Sequence, residues 1–240
     1  MGKTLQDTNC QEKHLVVLTG AGISAESGLK TFRDSDGLWE KYNVYELATP
    51  EAWEKHPEKV LEFYNERRKQ LLNVKPNKAH IILAKLEQHF NKVTIITQNV
   101  DDLHERAGST NILHLHGELR KARSTCDESK VYPIKGAELN MGDTDENGCQ
   151  LRPHVVWFGE PVPMLPKAVE MTKQADIFLI IGTSLIVYPA ASLISYLPDK
   201  TPIYYIDPNP AQIYNPNLTT LSLIASEGLE KWLKTINIEL

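Results

Sequence analysis

A glycine-rich segment follows an apolar run near the start of the chain. The run at residues 15–19 leads into a G-x-G-x-x-A segment at residues 20–25. Between a strand and a helix, the first glycine of such a segment permits a tight turn. The second lets the backbone approach a pyrophosphate, and the small third residue lets the helix pack close to the strand. The start of that helix would then face the anion. Taken alone, the segment fits either a phosphate cradle or a glycine turn without a ligand.

Polar side chains follow two later apolar runs, each at the point where a strand would end. Asn99 and Asp101 come after the run at residues 93–97, and His116 follows the run at residues 112–115. In an open α/β sheet, the carboxyl ends of the strands line the ligand crevice. An amide, a carboxylate and an imidazole can position a substrate there and move a proton. Each residue alone also fits a cap, a turn or a core histidine, but together they predict a site.

Two further strand ends offer groups suited to a nucleotide. Gly182, Thr183 and Ser184 follow one apolar run, and Asp207 ends another. Small residues and hydroxyls can contact phosphate or ribose, and an acid can accept hydrogen bonds from a ribose. The alternatives are a glycine turn and a helix-capping aspartate.

The elements that must position these residues alternate in type. Runs at residues 15–19, 93–97, 112–116, 177–182 and 202–207 predict buried parallel strands. Asn77 predicts the cap of a helix that extends to about residue 90. This alternation predicts an α/β fold with a Rossmann-like, doubly wound parallel sheet. The stretches at 34–74 and 120–152 break the pattern. We therefore expect one catalytic domain over 1–240, with a Rossmann-like part at about 14–33, 76–119 and 153–240 and a small inserted module at about 34–75 and 120–152.

Composition limits the partners. The chain has 240 residues and a net charge of −5, which argues against nucleic acid or an anionic membrane as the main partner. The apolar runs are too short to span a bilayer. Three cysteines and a polar N-terminus without an apolar signal segment indicate a reducing compartment. We expect a cytoplasmic monomer that binds neither nucleic acid nor membrane.

The order of these motifs resembles the sirtuin family over residues 14–230. The resemblance rests on GAGIS at 20–24, TFR at 31–33, QNVD at 98–101, HLHG at 114–117, LRPHVVWFGE at 151–160 and GTS at 182–184. It implies a Rossmann-type domain, a small inserted module and a cleft between them. It also implies NAD as co-substrate and acyl-lysine proteins or peptides as substrates, with nicotinamide, free lysine and an acyl-ADP-ribose as products.

The resemblance also implies a role for each residue. His116 would be the general base, acting with Asn99 and Asp101, and residues 156–159 would pair with the substrate peptide as a strand around the acyl-lysine stem. The expected substrate-binding residues in that segment are Val156, Trp157, Phe158 and Gly159. The expected cofactor-binding residues are Gly20, Ala21, Gly22, Ser24, Ala25, Phe32, Arg33, Gln98, Asn99, Asp101, Gly182, Thr183, Ser184, Asp207 and Ala225.

One helix bears on the acyl group. Pro57 predicts the start of a helix to about residue 73, which places Tyr64 and Arg67 on an apolar stripe. An arginine there either extends its charged end to solvent or pairs with an anion through its planar guanidinium. Tyr64-Asn65-Glu66-Arg67 resembles the Tyr-x-x-Arg pair of sirtuins that remove succinyl and malonyl groups. We therefore expect removal of succinyl and malonyl groups, and of acetyl groups as well.

The cysteine pattern departs from the family, which commonly holds a structural zinc with two C-x-x-C pairs. Here Cys126 is followed by Ser129 at that spacing, and Cys149 is preceded by Glu146. Two thiolates with a serine and a glutamate make a poor structural zinc site. We expect no structural zinc, and ordinary thiols at Cys126 and Cys149 instead of a disulfide.

Two other functions fit the same cleft. The first is another NAD-glycoside reaction such as ADP-ribosyl transfer, against which the peptide-binding segment weighs. The second is a non-catalytic NAD sensor, against which the combination of Asn99, Asp101 and His116 weighs.

Overall fold

A six-stranded parallel sheet forms the centre of the computed structural model, which describes residues 10–30 and 44–240. In chain order its strands are β1 (His14–Thr19), β2 (Lys92–Thr97), β3 (Ile112–His114), β7 (Ile177–Ile181), β8 (Ile203–Ile206) and β9 (Leu218–Leu221). Their order across the sheet is β3-β2-β1-β7-β8-β9, which is the Rossmann arrangement. The predicted fold class is therefore confirmed. All five predicted strands are present within a few residues of their expected bounds, and β9 is additional.

The central strands β1 and β7 are buried along their whole length because both faces of the sheet are covered there. Leu15 and Val17 of β1 point into one core cluster, whereas Val16 and Leu18 point into another. Alternate side chains of a strand point to opposite faces, so a strand buried on both faces needs an unbroken apolar run. The helices of the described residues are α1 (Gly22–Ala25), α2 (Pro50–Lys55), α3 (Pro57–Asn73), α4 (Lys78–Leu86), α5 (Leu103–Ala107), α6 (Leu165–Thr172) and α7 (Ala225–Thr235). Short 3-10 helices span Cys10–Glu12, Val44–Glu46 and Ala190–Tyr196.

The predicted helix starts after Asn77 and at Pro57 are confirmed. The Asn77 side chain accepts hydrogen bonds from the N–H groups of Ala79 and His80, and the missing N–H of Pro57 costs nothing at the first turn of α3. α4 ends at Leu86 rather than near residue 90, but Phe90 still packs in the same core cluster. The Asn77 cap and the proline at 57 thus mark where α4 and α3 begin.

A second sheet, antiparallel and three-stranded, interrupts the alternation. Its strands are β4 (Gly117–Ser124), β5 (Val131–Pro133) and β6 (Leu151–Val155), in the order β5-β4-β6. α3 contacts both β4 and β6. The boundaries expected between the Rossmann-like part and the small module, at 119/120 and 152/153, fall inside β4 and β6. Residues on both sides of each boundary belong to the same β4–β6 ladder.

The expectation of ordinary thiols at Cys126 and Cys149 is wrong. The two cysteines form a disulfide, with their Cα atoms 6.0 Å apart, which is a typical separation for such a bond. The sequence places them 23 residues apart, but the antiparallel pairing of β4 and β6 brings them face to face. Over residues 10–30 and 44–240, no helix is both long and apolar enough to cross a membrane.

Candidate functional site

The site begins where β1 and β7 lie side by side at the centre of the sheet. The chain leaves β1 toward β2 on one side and later returns to β7 on the other, so the loops after these strands diverge and open a crevice. A Cβ on Gly20 would lie 2.6 Å from the Thr183 side chain, and one on Gly22 would lie 2.7 Å from the Gly182 Cα. The glycines therefore allow the two loops to touch each other.

The glycine segment differs from its expected packing in one respect. Ala25 was expected to permit close helix–strand contact, but its side chain is exposed, and Ile23 and Ser24 are the buried residues of this short helix. α1 has only four residues, so a single turn follows the glycines. Ala21 lines the adjoining cleft.

A buried polar cluster lies beside these glycines. Ser24 Oγ donates a hydrogen bond to Asp101 Oδ2 at 2.9 Å, and Asn99 Nδ2 donates to the Gly20 carbonyl at 3.1 Å and to Ser24 Oγ at 3.2 Å. The Leu103 N–H donates to Asp101 Oδ1. Burial raises the pKa of Asp101, although the bonds from Leu103 and Ser24 partly offset this effect. The predicted residues Ser24, Asn99 and Asp101 thus form one hydrogen-bonded unit.

His116 follows β3 at the same edge of the sheet. Its Nδ1 lies 3.0 Å from the Gln98 carbonyl oxygen. Because a carbonyl can only accept, Nδ1 carries the hydrogen, and the lone pair of the neutral ring is on Nε2. Burial lowers the pKa of His116, and the bond to Gln98 opposes this shift. The His116 carbonyl accepts the Val156 N–H at 2.9 Å, which connects the imidazole to the predicted peptide-binding segment.

The remaining predicted cofactor residues lie at the carboxyl ends of β2, β7 and β8, or in α7. Gln98 Nε2 donates to Thr183 Oγ1 at 3.0 Å, which joins the loops after β2 and β7. Ser184 is half-buried in the loop after β7. Asp207 follows β8, and its Oδ1 accepts the Asn209 N–H. Ala225 is the buried first residue of α7.

A cleft at this edge brings several predicted residues together. Arg67 lines it along with Ala21, Ser24, Gln98, Asn99 and Asp101. Phe32 and Arg33 lie outside the described residues. The cleft thus joins the glycine segment of the parallel sheet to the helix that carries the predicted acyl-binding pair.

Tyr64 and Arg67 occupy different environments on α3. Tyr64 is buried, and its oxygen accepts a hydrogen bond from Trp157 Nε1 at 3.0 Å. Burial raises the pKa of Tyr64 to about 12, so its hydroxyl stays protonated. Arg67 is half-buried, and its guanidinium lies 5.7 Å from the Phe63 ring centroid. Burial lowers the pKa of Arg67, whereas Tyr64 and Asp101 raise it. The neighbouring Arg68 is fully buried, and its guanidinium donates to backbone carbonyls.

The predicted peptide-binding segment is not a strand in this structure. β6 ends at Val155, and the three following N–H groups are all engaged within the protein. Val156 N–H donates to His116 O, Trp157 N–H to Glu160 Oε2 at 2.7 Å, and Phe158 N–H to Ala48 O. These N–H groups are therefore not available to pair with a peptide. Trp157 is buried, whereas Phe158 and Gly159 are exposed, so the segment presents an apolar ring and a glycine turn to solvent.

A buried ionic cluster holds this segment, and sequence reasoning assigned it no role. Arg152 donates to Glu160 Oε1 at 2.7 Å, and Arg123 lies 3.6 Å from Glu160 Oε2. Both guanidiniums also contact the Val155 carbonyl, and Arg152 lies 3.7 Å from the Trp157 ring centroid. We call Arg123, Arg152 and Glu160 the arginine clamp. The signal in the sequence was the motif at 151–160, which contains Arg152 and Glu160 but not Arg123.

The residues at the expected zinc positions do not fit a structural zinc. Cys126 and Cys149 are bonded to each other, and Ser129 Oγ donates to Asp127. Glu146 accepts from Lys130 Nζ and from Tyr132 Oη. Structural zinc needs four soft or imidazole ligands, and this set offers none that is uncommitted. Within the described part of the chain, no group of three or more His, Cys, Asp or Glu side chains is placed to hold a metal.

The fold and the site define the class of protein. A Rossmann-type sheet with a glycine segment and buried polar groups at its switch point is typical of dinucleotide-binding enzymes. Residues 20–189 match the model of the Sir2 family, which covers more than half of the chain. The chain therefore belongs to the Sir2 family, and the predicted family is confirmed.

Relatives and solved structures agree with this family. The chain is 58% identical to an NAD-dependent protein deacylase of Helicobacter pylori over 85% of this chain and 88% of the relative. It is 55% identical to one of Bacteroides thetaiotaomicron over 91% of this chain and 96% of the relative. It is also similar to a Sir2 homologue solved with NAD, with 40% identity, a TM-score of 0.85, and coverage of 99% of this chain and 94% of that one. A Sir2 protein solved with a deacetylated p53 peptide and 3′-O-acetyl ADP-ribose is 29% identical, with a TM-score of 0.78 over 94% of each chain.

Proposed function

We propose that this chain removes acyl groups from protein lysine side chains with consumption of NAD, and that succinyl and malonyl groups are preferred substrates beside acetyl. The observation that supports this proposal is the cleft at the carboxyl ends of β1 and β2. It joins the polar cluster of Ser24, Asn99 and Asp101 to Arg67 on α3. A cation at this position would favour the binding of an acyl group that ends in a carboxylate.

The residues present fit NAD. Glycines at positions 20 and 22 let the loops after β1 and β7 pack against each other, and polar side chains at the ends of β1 and β2 line the cleft beside them. We propose that Gly20, Ala21, Gly22, Ser24 and Ala25 hold the pyrophosphate, with Thr183, Ser184, Asp207 and Ala225 on the adenosine side. When bound, NAD supplies an activated ribose that accepts the acyl group as nicotinamide leaves.

His116 has the protonation state that a general base needs. Its Nδ1–H is committed to the Gln98 carbonyl, and its lowered pKa keeps Nε2 unprotonated at neutral pH. We propose that Nε2 removes a proton from a hydroxyl of the bound substrate. Asn99 and Asp101 are held by Ser24 and by backbone groups, so they can orient the nicotinamide side without reorganisation.

Tyr64 and Arg67 support the preference for acidic acyl groups. The Tyr64 oxygen accepts the Trp157 N–H, and because the phenol stays protonated, its own O–H remains a donor. A carboxylate bound by this O–H and by the Arg67 guanidinium would receive two charge-assisted hydrogen bonds. An acetyl group makes neither bond, so loss of the cation should affect the two substrates unequally. The exposed Phe158 and Gly159, with Val156, would cover the lysine stem.

The test is deacylation of matched acetyl-lysine and succinyl-lysine peptides with NAD, with products followed by mass. We expect Arg67→Met to reduce kcat/KM for the succinyl peptide by about 10- to 100-fold, since the charge-assisted bond from Arg67 contributes about 1.5–3 kcal/mol and the bond from Tyr64 remains. Activity on the acetyl peptide should change by less than about threefold.

Lys69→Met is the matched control, because it removes an exposed cation from the same helix. It should leave both activities unchanged. Equal losses on both peptides in Arg67→Met would refute the carboxylate contact. NAD cleavage without acyl loss would indicate ADP-ribosyl chemistry, and NAD binding without turnover would indicate a sensor.

A further inference from the structure

The Cys126–Cys149 disulfide closes one end of the small sheet. β4 ends at Ser124 opposite Leu151, and the Thr125 N–H donates to the Gln150 carbonyl at 3.1 Å. The two cysteines are the next pair along the ladder, beyond its last backbone hydrogen bond. The bond therefore fixes the position at which the two strands would otherwise separate first.

The same ladder carries the arginine clamp. Arg123 and Arg152 are direct cross-strand partners, three residues inward from the cysteines. Both contact the Val155 carbonyl, and both face Glu160, which accepts the Trp157 N–H. One short ladder thus has the disulfide at one end and the segment at 156–159 at the other. Separation of its strands would release the side chains that fix that segment.

The bond is accessible to small thiols. Cys126 is exposed and Cys149 is half-buried. Exchange requires a thiolate to reach a disulfide sulfur, and exposed disulfides are the labile ones. Cys10, in contrast, is buried, and burial raises the pKa of its thiol, so it is a poor nucleophile.

Hydrogen bonds of Glu146 and Asp145 also help to hold this end of the small sheet together. Glu146, three residues before Cys149, accepts hydrogen bonds from Lys130, just before β5, and from Tyr132 within β5. Asp145 Oδ1 accepts the Cys149 N–H. These contacts do not depend on the oxidation state. Cleavage of the disulfide should therefore loosen the ladder and leave the small sheet folded.

We propose that Cys126 and Cys149 form a thiol–disulfide exchange site for low-molecular-weight thiols such as glutathione. In its oxidised form this site fixes the segment at 156–159. Zinc-binding cysteines are common in the family at this position. Two glutathione thiols reduce the bond through a mixed disulfide to two protein thiols, and one glutathione disulfide is released. Reduction raises KM for the acyl-lysine peptide and leaves the affinity for NAD unchanged. The effect on peptide KM rests on the deacylase function proposed above.

The experiment compares the full chain in oxidised and reduced glutathione buffers. Mass analysis after alkylation in denaturant should find one alkylated cysteine, Cys10, in the oxidised form and three after reduction. We expect peptide KM to rise roughly fivefold on reduction, equivalent to about 1 kcal/mol. The NAD dissociation constant should stay the same.

Two variants separate this effect from general sensitivity to reductant. The double variant Cys126→Ser, Cys149→Ser should show the KM of the reduced form in every buffer. Cys10→Ser should respond to glutathione as the unaltered chain does. These variants also separate redox control from loss of folding, because the double variant is active but unresponsive.

Three outcomes would overturn the proposal: three alkylated cysteines in the oxidising buffer, equal KM values in both buffers, or one equivalent of zinc bound to the reduced chain. Each of these outcomes can be observed in a chain that still deacylates the peptide. Absence of deacylation in both buffers would instead refute the proposed function, and the alkylation pattern would still decide whether the exchange site exists.

Discussion

The arginine clamp gives the sharpest test of how the segment at residues 156–159 is held. Glu160→Gln preserves the size and one acceptor of the side chain but removes its charge. The Arg123 and Arg152 side chains are 5% and 8% exposed and that of Glu160 is 15% exposed, so solvent screens the charges weakly. Arg152 donates to Glu160 Oε1 and the Trp157 N–H donates to Oε2, but the amide of Gln keeps only one acceptor, so one of these two charge-assisted hydrogen bonds would be lost. Two buried guanidiniums would also lose their shared counter-ion.

The magnitude follows from these losses. Loss of one charge-assisted hydrogen bond costs about 1.5–3 kcal/mol, and removal of the charge that the two buried guanidiniums face adds to that cost. The Val155 carbonyl and the Trp157 ring still contact the guanidiniums and offset part of it. We expect a destabilisation of about 2–4 kcal/mol, which corresponds to a melting temperature lower by roughly 5–15 °C. Peptide KM should rise, and NAD affinity should not change.

Glu128→Gln is the matched control. Glu128 also pairs with Arg123, at 3.1 Å, but its side chain is 65% exposed. Exposed pairs contribute no more than about 1 kcal/mol, so this variant should melt near the unaltered chain. Thermal unfolding by circular dichroism and steady-state kinetics give the two readouts. If both variants shift the melting temperature equally, the clamp is not an organised buried unit.

Two further predictions follow from the histidines. His116→Ala should lower kcat by at least about 100-fold with unchanged melting, because general-base catalysis contributes on that scale; a folded variant that retains activity would end the assignment. His80 and His104 are buried, and burial lowers the pKa of His80 to about 4 and that of His104 well below its usual range. Both stay neutral in the folded state while the unfolded chain takes up protons below about pH 6.5. Stability should therefore fall as the pH drops from 6.5 toward 4, with a slope approaching about 1.4 kcal/mol per pH unit for each histidine. Urea unfolding at pH 7 and pH 5 measures this, and equal midpoints would contradict it.

The parallel sheet could be predicted because its strands carry a local signal. Both faces of a central strand are buried, so the strands at 15–19 and 177–181 are continuous apolar runs bounded by glycine. β9 escaped prediction because it is an edge strand with two exposed threonines and no such run. The carboxyl ends of parallel strands meet at one edge of the sheet, so Asn99, Asp101 and His116 could be assigned to that edge from the sequence alone.

Packing between distant segments could not be predicted in the same way. The exposure of Ala25 and the burial of Trp157 depend on which loops approach them, and spacing along the chain does not encode that. Residues 156–158 are apolar enough for a strand, but their N–H groups are captured by His116, Glu160 and Ala48. The disulfide likewise depends on the β4–β6 register, which brings together residues 23 positions apart.

The hydrogen bond from Trp157 to Tyr64 gives the site a property that neither residue has alone. A buried phenol usually uses its single hydroxyl as both donor and acceptor, and its preference for an incoming group is then undefined. Here Trp157 can only donate, so it occupies the oxygen and leaves the Tyr64 proton for an acceptor. The same indole lies under Arg152 of the clamp. The group that would recognise the acyl chain is therefore oriented by the segment that would hold the lysine stem. Acyl preference and peptide affinity should consequently change together when Trp157→Phe removes the N–H, whereas Arg67→Met should change the preference alone.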